Sequence, residues 1–178
     1  MEEVKYLLGH AIELISLRDL SFSAELPETH LTLEDNAAEK SEFIFQHFKM
    51  DCFAEDTGLE IDALNGEPGV FSARYAGPGK SAPDNVMLVL EKMRGMKNRL
   101  AKFRTVICLI LEGRKFYFEG IVNGMIAENA RGEGGFGYDP IFIPEGFKQT
   151  FAELDFTIKN EISHRKKAFL KMKFFLKE

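Results

Sequence analysis

The sequence feature that most constrains the fold is a pair of apolar runs separated by a short polar turn. Residues 103–111 are rich in β-branched side chains, and residues 115–122 return with phenylalanine alternating against tyrosine and glutamate. β-Branched and aromatic residues favour the pleated, half-buried surface of a sheet. The glutamate, glycine and arginine at 112–114 supply the turn, so the sequence predicts a β-hairpin here.

Three segments have the 3.6-residue periodicity of amphipathic helices. The first begins at Thr32, which can cap the helix together with Asp35 three residues later. The second has Asp84 at its capping position. The predicted helices are residues 32–48, 84–94 and 157–176.

Shorter segments complete the expected secondary structure. Neither an internal repeat nor a long linker interrupts the sequence, so residues 1–178 are predicted to form a single domain of the α/β class. The shorter predicted elements are a strand at residues 12–17, a strand–turn–strand unit at 50–64 with its turn at Gly58, a strand at 141–143, and a helix at 2–8 closed by Gly9.

Composition and charge exclude several classes of function. The 178 residues carry a net charge of −5 and have a pI of about 5.5, which argues against a protein that grips nucleic-acid backbone. The longest apolar run, residues 106–111, is too short to cross a bilayer, and the N-terminus lacks a signal pattern. Cys52 and Cys108 lie in apolar runs that are typical of reduced core thiols. We therefore expect a cytoplasmic protein without a nucleic-acid or membrane partner.

An acidic pair within residues 53–60 is the first candidate site. Glu55 and Asp56 follow a short apolar run, and Thr57 and Gly58 come next. Carboxylates in apolar surroundings need a partner, and Mg²⁺ is typically held by one or two carboxylates plus substrate phosphates. The same pattern also fits an acidic strand end that faces water, and these residues alone leave both interpretations open.

Two cations fall within the apolar stripes of the predicted long helices. At about 100° per residue, Lys40 lies within the stripe that contains Leu33 and Ile44, and Arg165 lies within the stripe of the last helix. Lys40 could snorkel to the rim of the core, and Arg165 could pair with a structural carboxylate. One anionic ligand in a crevice shared by the two cations would explain both positions. His164, taken alone, is typical of a surface histidine.

Residues 130–140 form the second candidate site and are rich in glycine and aromatic side chains. Glycine allows a backbone to approach a ligand closely, and aromatic rings between glycines can stack on a flat base. The segment matches neither the P-loop nor the dinucleotide-binding fingerprint. A flexible surface hairpin has a similar composition, so the loop by itself leaves its role open.

Four segments that occur together and in order resemble the inosine-triphosphate pyrophosphatase family. They are residues 53–58, 68–77, 134–140 and 162–165. The resemblance implies hydrolysis of XTP, ITP and dITP to the nucleoside monophosphate and pyrophosphate, with Mg²⁺ as cofactor. It also implies an elongated mixed β-sheet with flanking helices, two lobes around a central cleft, and a homodimer.

The resemblance also implies roles for individual residues. Asp56 matches the catalytic base, and Glu28, Glu55 and Asp56 match residues near the metal. Lys40 matches a helix lysine that meets phosphate. Hydrogen-bond donors in the last helix suit the carbonyl at position 6 of hypoxanthine, where adenine carries an amino group. The residues that match contacts to the substrate are Thr57, Phe136, Gly137, Tyr138, Asp139, Lys159, His164 and Arg165.

The chain departs from the family pattern at its N-terminus. The family begins with a buried strand and a Thr-x-Asn-x-x-Lys loop that holds the triphosphate, whereas this sequence starts at the helix predicted for residues 2–8. Loss of a buried strand exposes sheet edges and removes an asparagine and a lysine from the phosphate site. We therefore expect weak or absent turnover from the polypeptide that begins at Met1. A catalytically impaired nucleotide-binding protein and a Maf-like nucleotide pyrophosphatase are the alternatives.

Overall fold

The structure, a computed structural model, describes residues 13–79 and 81–177, so the helix predicted at residues 2–8 lies outside the described residues. Within this part of the chain, no helix combines the length and the apolar character that crossing a bilayer requires. The helices are α1 (Leu33–Phe48), α2 (Ala82–Lys92), α3 (Phe156–Ile162) and α4 (His164–Phe175). The strands are β1 (Cys52–Ile61), β2 (Pro68–Gly69), β3 (Leu100–Leu111), β4 (Arg114–Ile126) and β5 (Phe142–Pro144).

The strands form one sheet in the order β2-β1-β3-β4-β5. β3 and β4 pair along their whole length up to Leu111 opposite Arg114, which confirms the predicted hairpin. Helices and sheet together confirm the α/β class. We expected a mixed sheet, but every strand pairing within residues 13–79 and 81–177 is antiparallel. Residues 13–16, part of a segment predicted as a strand, have no regular secondary structure.

β1 is one continuous strand and not the strand–turn–strand unit that we expected around Gly58. Gly58 lies within the ladder between β1 and β3, and a β-carbon at this position would lie 2.6 Å from the Gly69 carbonyl oxygen. Glycine is therefore required by the close approach of a neighbouring backbone and not by a turn. As a result, Glu55, Asp56 and Thr57 are consecutive positions of a regular strand.

α1 and α4 pack on opposite faces of the sheet. α1 packs against Val106 and Cys108 of β3, whereas α4 packs against Ile107 and Leu109. Successive side chains of a strand point to opposite faces, so even-numbered residues of β3 face α1 and odd-numbered ones face α4. The sheet therefore presents two separate surfaces, which we call the α1 face and the α4 face.

The single C-terminal helix that we expected over residues 157–176 is broken at Ser163. α3 ends there, and the Ser163 hydroxyl accepts a hydrogen bond from the Lys166 backbone N–H at 3.1 Å, which caps α4. The break does not move Arg165 off the predicted inward face, because its guanidinium lies 5.4 Å from the ring of buried Phe169. Arg165 lies in the first turn of α4, with its side chain near the sheet.

The N-terminal caps of α1 and α2 are hydroxyl side chains. Thr32 accepts a hydrogen bond from the Asp35 backbone N–H at 3.1 Å, which confirms the predicted cap of α1. α2 begins earlier than expected, because Ser81 accepts a hydrogen bond from the Asp84 backbone N–H and acts as the cap in place of Asp84. Serine and aspartate are about equally favourable at this position, so composition alone did not separate the two candidates.

The apolar core on the α4 face falls into two clusters. One contains Phe103 and Phe142, and the other lies beneath α4 and contains Ile107 and Phe169. Thr105, which is fully buried, separates the two clusters along β3. A buried hydroxyl needs hydrogen-bond partners, and the partners of Thr105 belong to the candidate site.

Candidate active site

The acidic pair of β1 is divided between the two faces of the sheet. Asp56 points to the α1 face and contacts Lys40, whereas Glu55 points to the α4 face and contacts Arg165. Adjacent residues of a regular strand must diverge in this way. The two cations identified in the sequence therefore mark two different regions, which are joined by consecutive residues of β1.

On the α1 face, two carboxylates and a lysine form a compact group that we call the carboxylate cluster (Glu28, Lys40 and Asp56). Lys40 Nζ donates to Asp56 Oδ1 at 2.7 Å and to Glu28 Oε1 at 3.1 Å. Asn36 Nδ2 lies 3.4 Å from Asp56 Oδ2, and Arg74 donates to Glu28 Oε2 at 2.9 Å. Lys40 and Asp56 are 7% and 9% exposed, so salt and water screen this charge pair only weakly.

Burial and neighbouring cations shift the two carboxylates of the cluster in opposite directions. Burial raises the pKa of Asp56 above its ordinary value, although the hydrogen bond and charge of Lys40 act against this. Burial also acts to raise the pKa of Glu28, but Lys40 and Arg74 together outweigh it and hold that pKa below its usual range. A carboxylate with a raised pKa is the stronger proton acceptor. Asp56 is therefore the better general base of the two.

On the α4 face, a cavity of about 880 Å³ opens beside the glycine-rich loop, and we call it the aromatic cavity. Its volume is in the range of sites that enclose a small organic ligand. The structure brings together here all the residues that the sequence predicted as substrate contacts, apart from Lys40. They are Thr57, Phe136, Gly137, Tyr138, Asp139, Lys159, His164 and Arg165.

A buried aspartate holds the glycine-rich loop in place. Asp139 Oδ2 accepts hydrogen bonds from the Phe136 backbone N–H at 2.6 Å and from Lys159 Nζ at 2.5 Å. Gly135 has a φ of +77°, and a β-carbon there would lie 2.1 Å from Asp139 Oδ2, so only glycine fits. The Phe136 ring remains 74% exposed, with Lys159 Nζ 4.4 Å from its centroid. The loop thus displays an aromatic face and a cation at the cavity.

A chain of hydrogen bonds links Thr57 to His164 at the same cavity. Thr105 Oγ1 lies 2.7 Å from Thr57 Oγ1 and 2.6 Å from His164 Nδ1. The His164 ring is 8% exposed and stacks on Phe103 with 4.9 Å between the centroids. Burial, followed by the charges of nearby lysine and arginine side chains, lowers the pKa of His164 to about 3. His164 is therefore neutral near pH 7, and its interpretation as a surface histidine is wrong.

Arg165 does not share a crevice with Lys40. Its Nε lies 2.9 Å from both carboxylate oxygens of Glu55, and its Nη2 lies 2.6 Å from Glu55 Oε1. The expectation that the two cations share one crevice is therefore wrong, because they lie on opposite faces of the sheet. Arg165 still lines the aromatic cavity. Glu55, which was predicted near the metal, is not brought to Glu28 and Asp56.

Several residues of the site carried little signal in the sequence. Phe156 is 75% exposed and lines the aromatic cavity, but an isolated phenylalanine before a helix is not a motif. Thr105 lies in a run of buried residues, and its hydroxyl group was the feature of the sequence that could have marked it as part of the site. Arg74 joins the carboxylate cluster from a 3₁₀ turn within the segment 68–77, and Asn36 joins it from α1. The resemblance gave a role to neither residue.

The two regions meet at the outer edge of β1. Asp56 belongs to the carboxylate cluster, and the next residue, Thr57, lines the aromatic cavity. β2 pairs with Leu59 and Glu60, so within residues 13–79 and 81–177 no strand covers the edge of β1 at residues 52–58. Because Asp56 and Thr57 are consecutive residues of β1, the two regions adjoin each other across this strand.

Comparison with known proteins places these features in a family. Residues 1–175 match the Ham1 family. A protein of Flavobacterium johnsoniae named dITP/XTP pyrophosphatase is 52% identical over 166 residues, which is 93% of this chain and 86% of the relative. The solved structure of the Staphylococcus aureus Ham1 protein has a TM-score of 0.88 and 40% identity, over 93% of this chain and 86% of its own. The solved structure of a HAM1 protein from Coxiella burnetii has a TM-score of 0.93 and 36% identity, over 99% of this chain and 92% of its own.

Proposed function

The chain belongs to the Ham1 family, and from this premise we propose that it hydrolyses aberrant purine nucleoside triphosphates. The proposed substrates are XTP, ITP and dITP, and the products are the nucleoside monophosphate and pyrophosphate. The observation that carries the proposal is the junction of the aromatic cavity and the carboxylate cluster at Asp56 and Thr57. Relatives named dITP/XTP pyrophosphatase, 52% and 45% identical to this chain, support the same activity.

The aromatic cavity suits the base of such a nucleotide. Phe136 presents an exposed ring on which a purine can stack. Donors from Arg165 and His164 suit the carbonyl at position 6 of hypoxanthine and xanthine. The amino group of adenine would face the same donors unpaired, and a site built on such hydrogen bonds can reject the wrong base by up to about 10⁴-fold.

The carboxylate cluster suits a magnesium ion bound together with phosphate. Lys40 Nζ contacts Glu28 and Asp56 at once, so the two carboxylates converge on one point. Mg²⁺ prefers oxygen ligands and is usually held by one or two carboxylates plus substrate phosphates, which fits this pair. Within the described residues, no set of three or more His, Cys, Asp or Glu side chains is grouped as a metal site, so our proposal completes the ligands with phosphate and water oxygens. The chemistry that Mg²⁺ supplies when bound is neutralisation of charge on the phosphate oxygens.

Two side chains of the cluster act directly in the proposed hydrolysis. Asp56, whose pKa is raised by burial, orients the attacking water and accepts its proton. Lys40 stabilises negative charge as it develops on the phosphates and on the leaving pyrophosphate. Because this charge is larger in the transition state than in the bound substrate, the contact of Lys40 lowers the barrier.

The proposal includes a homodimer and a cytoplasmic location. The homodimer comes from the family resemblance, and the location comes from the sequence and from the nucleotide pool on which the activity would work. Light scattering during size-exclusion chromatography tests the assembly, and a mass of 20.2 kDa, that of one chain, would contradict the dimer. Fractionation of cells that produce the protein tests the location.

Release of pyrophosphate from the purified full chain tests the activity. We expect whatever turnover the chain has to favour dITP, ITP and XTP over ATP, to need Mg²⁺, and to be lost when EDTA removes the metal. Asp56→Asn should lower kcat by about 10²- to 10⁴-fold, the usual contribution of a general base. Asp84→Asn is the matched control, because Asp84 is an exposed aspartate at the start of α2 and should leave kcat unchanged.

Other results of the same assay would favour other functions. Binding of ITP without pyrophosphate release would support a catalytically impaired nucleotide-binding protein. Preferential turnover of dTTP or UTP would support a Maf-like pyrophosphatase. Equal turnover of dITP and dATP would contradict the proposed selection of the base.

A further inference from the structure

A buried hydroxyl lies behind the wall of the aromatic cavity and takes no direct part in the proposed hydrolysis. Thr105 is fully buried on β3, between the apolar clusters that contain Phe103 and Ile107. Both partners of its hydroxyl, Thr57 and His164, line the cavity. The hydroxyl therefore connects two side chains that a bound nucleotide can touch.

The number of protons in this chain limits how it can be arranged. A threonine hydroxyl donates one hydrogen bond, and a neutral imidazole carries one N–H. If Thr57 donates to Thr105 and Thr105 donates to His164 Nδ1, the ring proton is on Nε2. If the chain runs in the reverse direction, Nδ1 carries the proton and Nε2 has a lone pair. The hydroxyl of Thr105 thus couples the tautomer of His164 to the orientation of the Thr57 hydroxyl.

The second ring nitrogen of His164 is open to the cavity. Among residues 13–79 and 81–177, Nε2 of His164 makes no hydrogen bond. Every buried side-chain nitrogen or oxygen atom in this part of the chain has a partner, so an atom without one is not buried. Nε2 is therefore accessible, and His164 lines the aromatic cavity. His164 is also neutral, since burial and neighbouring cations lower its pKa to about 3. What the cavity presents at this point, a donor or an acceptor, depends on the tautomer.

We propose that Thr105 is a positioning residue that holds His164 as the Nε2–H tautomer, with Nε2–H directed as a donor at the carbonyl of a 6-oxopurine. The identity of the base rests on the proposed function. The direction of the hydrogen-bond chain follows from the intrinsic preference of neutral imidazole side chains for the Nε2–H form. A hydroxyl that donates to Nδ1 reinforces this preference.

This arrangement gives the site a way to reject adenine. With Nε2–H fixed as a donor, the amino group of adenine meets another donor, and neither group is satisfied. Without the Thr105 hydroxyl, the ring can exchange tautomers and offer a lone pair to the amino group. The hydroxyl therefore improves discrimination between 6-oxopurines and adenine without contacting the base.

Kinetic discrimination tests the proposal in the full chain. Thr105→Val removes the hydroxyl at nearly constant volume, and we expect the ratio of kcat/KM for dITP over dATP to fall about tenfold. Thr105→Ser restores a hydroxyl and should keep the ratio within about threefold of the wild type. Thr150→Val is the matched control, because Thr150 is also fully buried and donates to the Arg131 carbonyl oxygen at 2.9 Å; it should leave the ratio unchanged.

Nitrogen-15 chemical shifts of the histidine rings give a readout that a merely structural role would not move. We expect wild-type His164, assigned by comparison with His164→Gln, to carry its proton on Nε2 at pH 7, and Thr105→Val to show a mixture of tautomers. A wild-type ring protonated on Nδ1, an unchanged ratio in Thr105→Val, or equal losses in Thr105→Val and Thr150→Val would overturn the proposal. Should the wild type fail to hydrolyse dITP, the proposed function would fail, and the tautomer measurement would still decide the role of Thr105.

Discussion

The carboxylate cluster and the aromatic cavity differ in what organises them before a ligand arrives. In the cluster, Lys40 is 7% exposed and is held between the carboxylates of Glu28 and Asp56. In the cavity, Phe136 and Phe156 leave about three quarters of their surface in water, at 74% and 75% exposed. Opposite charges fix the geometry of the cluster, whereas the cavity keeps apolar surface exposed that a stacked base would cover. The phosphate end therefore depends on charge balance, and the base end depends on surface and on a few hydrogen bonds.

This difference predicts a split between kinetic constants. A change in the carboxylate cluster removes interactions that strengthen in the transition state, so it should lower kcat. A change in the aromatic cavity removes contacts that substrate and transition state share, so it should raise KM with little effect on kcat. Substitutions in each region therefore test whether the two regions act on different kinetic constants.

After that of Asp56→Asn, the largest effect is expected for Lys40→Met in the carboxylate cluster. The variant keeps an unbranched side chain but leaves Glu28 and Asp56 without the cation between them, and it removes a charge partner of the phosphates. We expect kcat for dITP to fall by about 10²- to 10³-fold, the usual cost of one strong transition-state donor. Pyrophosphate release under saturating and limiting dITP measures kcat and KM separately.

Lys102→Met is the matched control for Lys40→Met. Lys102 lies on the same face of the sheet and pairs with Glu60 at 3.1 Å, but its side chain is 39% exposed. Exposed ion pairs contribute about 0–1 kcal/mol, so the control should keep kcat and the far-ultraviolet circular dichroism of the wild type. If Lys40→Met keeps kcat and only raises KM, the assignment of chemistry to the cluster is lost.

The fold was predictable where neighbouring residues decide it. The cap at Thr32 and the turn at residues 112–114 are local signals, and the structure contains both. Gly58 was misinterpreted because its cause, the approach of the Gly69 backbone, comes from a separate segment of the chain. Ser163 was overlooked because apolar periodicity continues across it, and the break depends on a single hydroxyl that caps the next helix.

The family resemblance named most of the residues that gather in the two regions, but it did not predict their arrangement. Strand periodicity alone shows that Glu55 and Asp56 point to opposite faces once β1 is known to be continuous. Helical periodicity indicates that Lys40 faces inward, but not which face of the sheet its helix covers. That choice depends on topology, so the sequence left a carboxylate partner for Arg165 open but did not identify it as Glu55.

The second prediction uses the neutral histidine of the aromatic cavity, which contrasts with the charged groups of the cluster. The pKa of His164 is about 3 in the folded protein and about 6.5 in an unfolded chain, so the unfolded state binds the proton first as pH falls. The stabilisation from a neutral His164 is present above pH 6.5 and is lost between about pH 6.5 and 3. At pH 5 this loss amounts to about 2 kcal/mol of the free energy of unfolding.

Urea unfolding of the wild type and His164→Gln at pH 7.5 and pH 5 measures this contribution. The carboxylates with lowered pKa, such as Glu28 and Glu34, lose stabilisation over an acid range in both proteins and cancel in the comparison. The free energy of unfolding should therefore fall by about 2 kcal/mol more in the wild type than in the variant. Equal falls in the two proteins would mean that His164 is not held neutral by its surroundings.

The smallest effect is expected for Phe156→Ala at the rim of the aromatic cavity. Phe156 contributes exposed ring surface to the cavity wall, and stacking of one aromatic side chain on a base is worth about 1–3 kcal/mol. Because the ring is at the rim, we expect the lower end of this range, which corresponds to about a fivefold rise in KM for dITP. kcat should remain within about twofold of the wild type.

Phe136→Ala and Phe174→Ala are the comparison variants for Phe156→Ala, with a larger and with no expected change in KM. Phe136→Ala should raise KM more than Phe156→Ala does, because it also removes the ring that lies 4.4 Å from Lys159 Nζ. Phe174 is 65% exposed on α4 but does not line the cavity, so its removal should leave both constants unchanged. If Phe156→Ala matches Phe174→Ala, the base contacts only the loop side of the cavity; if it lowers kcat as Lys40→Met does, the two regions are not kinetically separate.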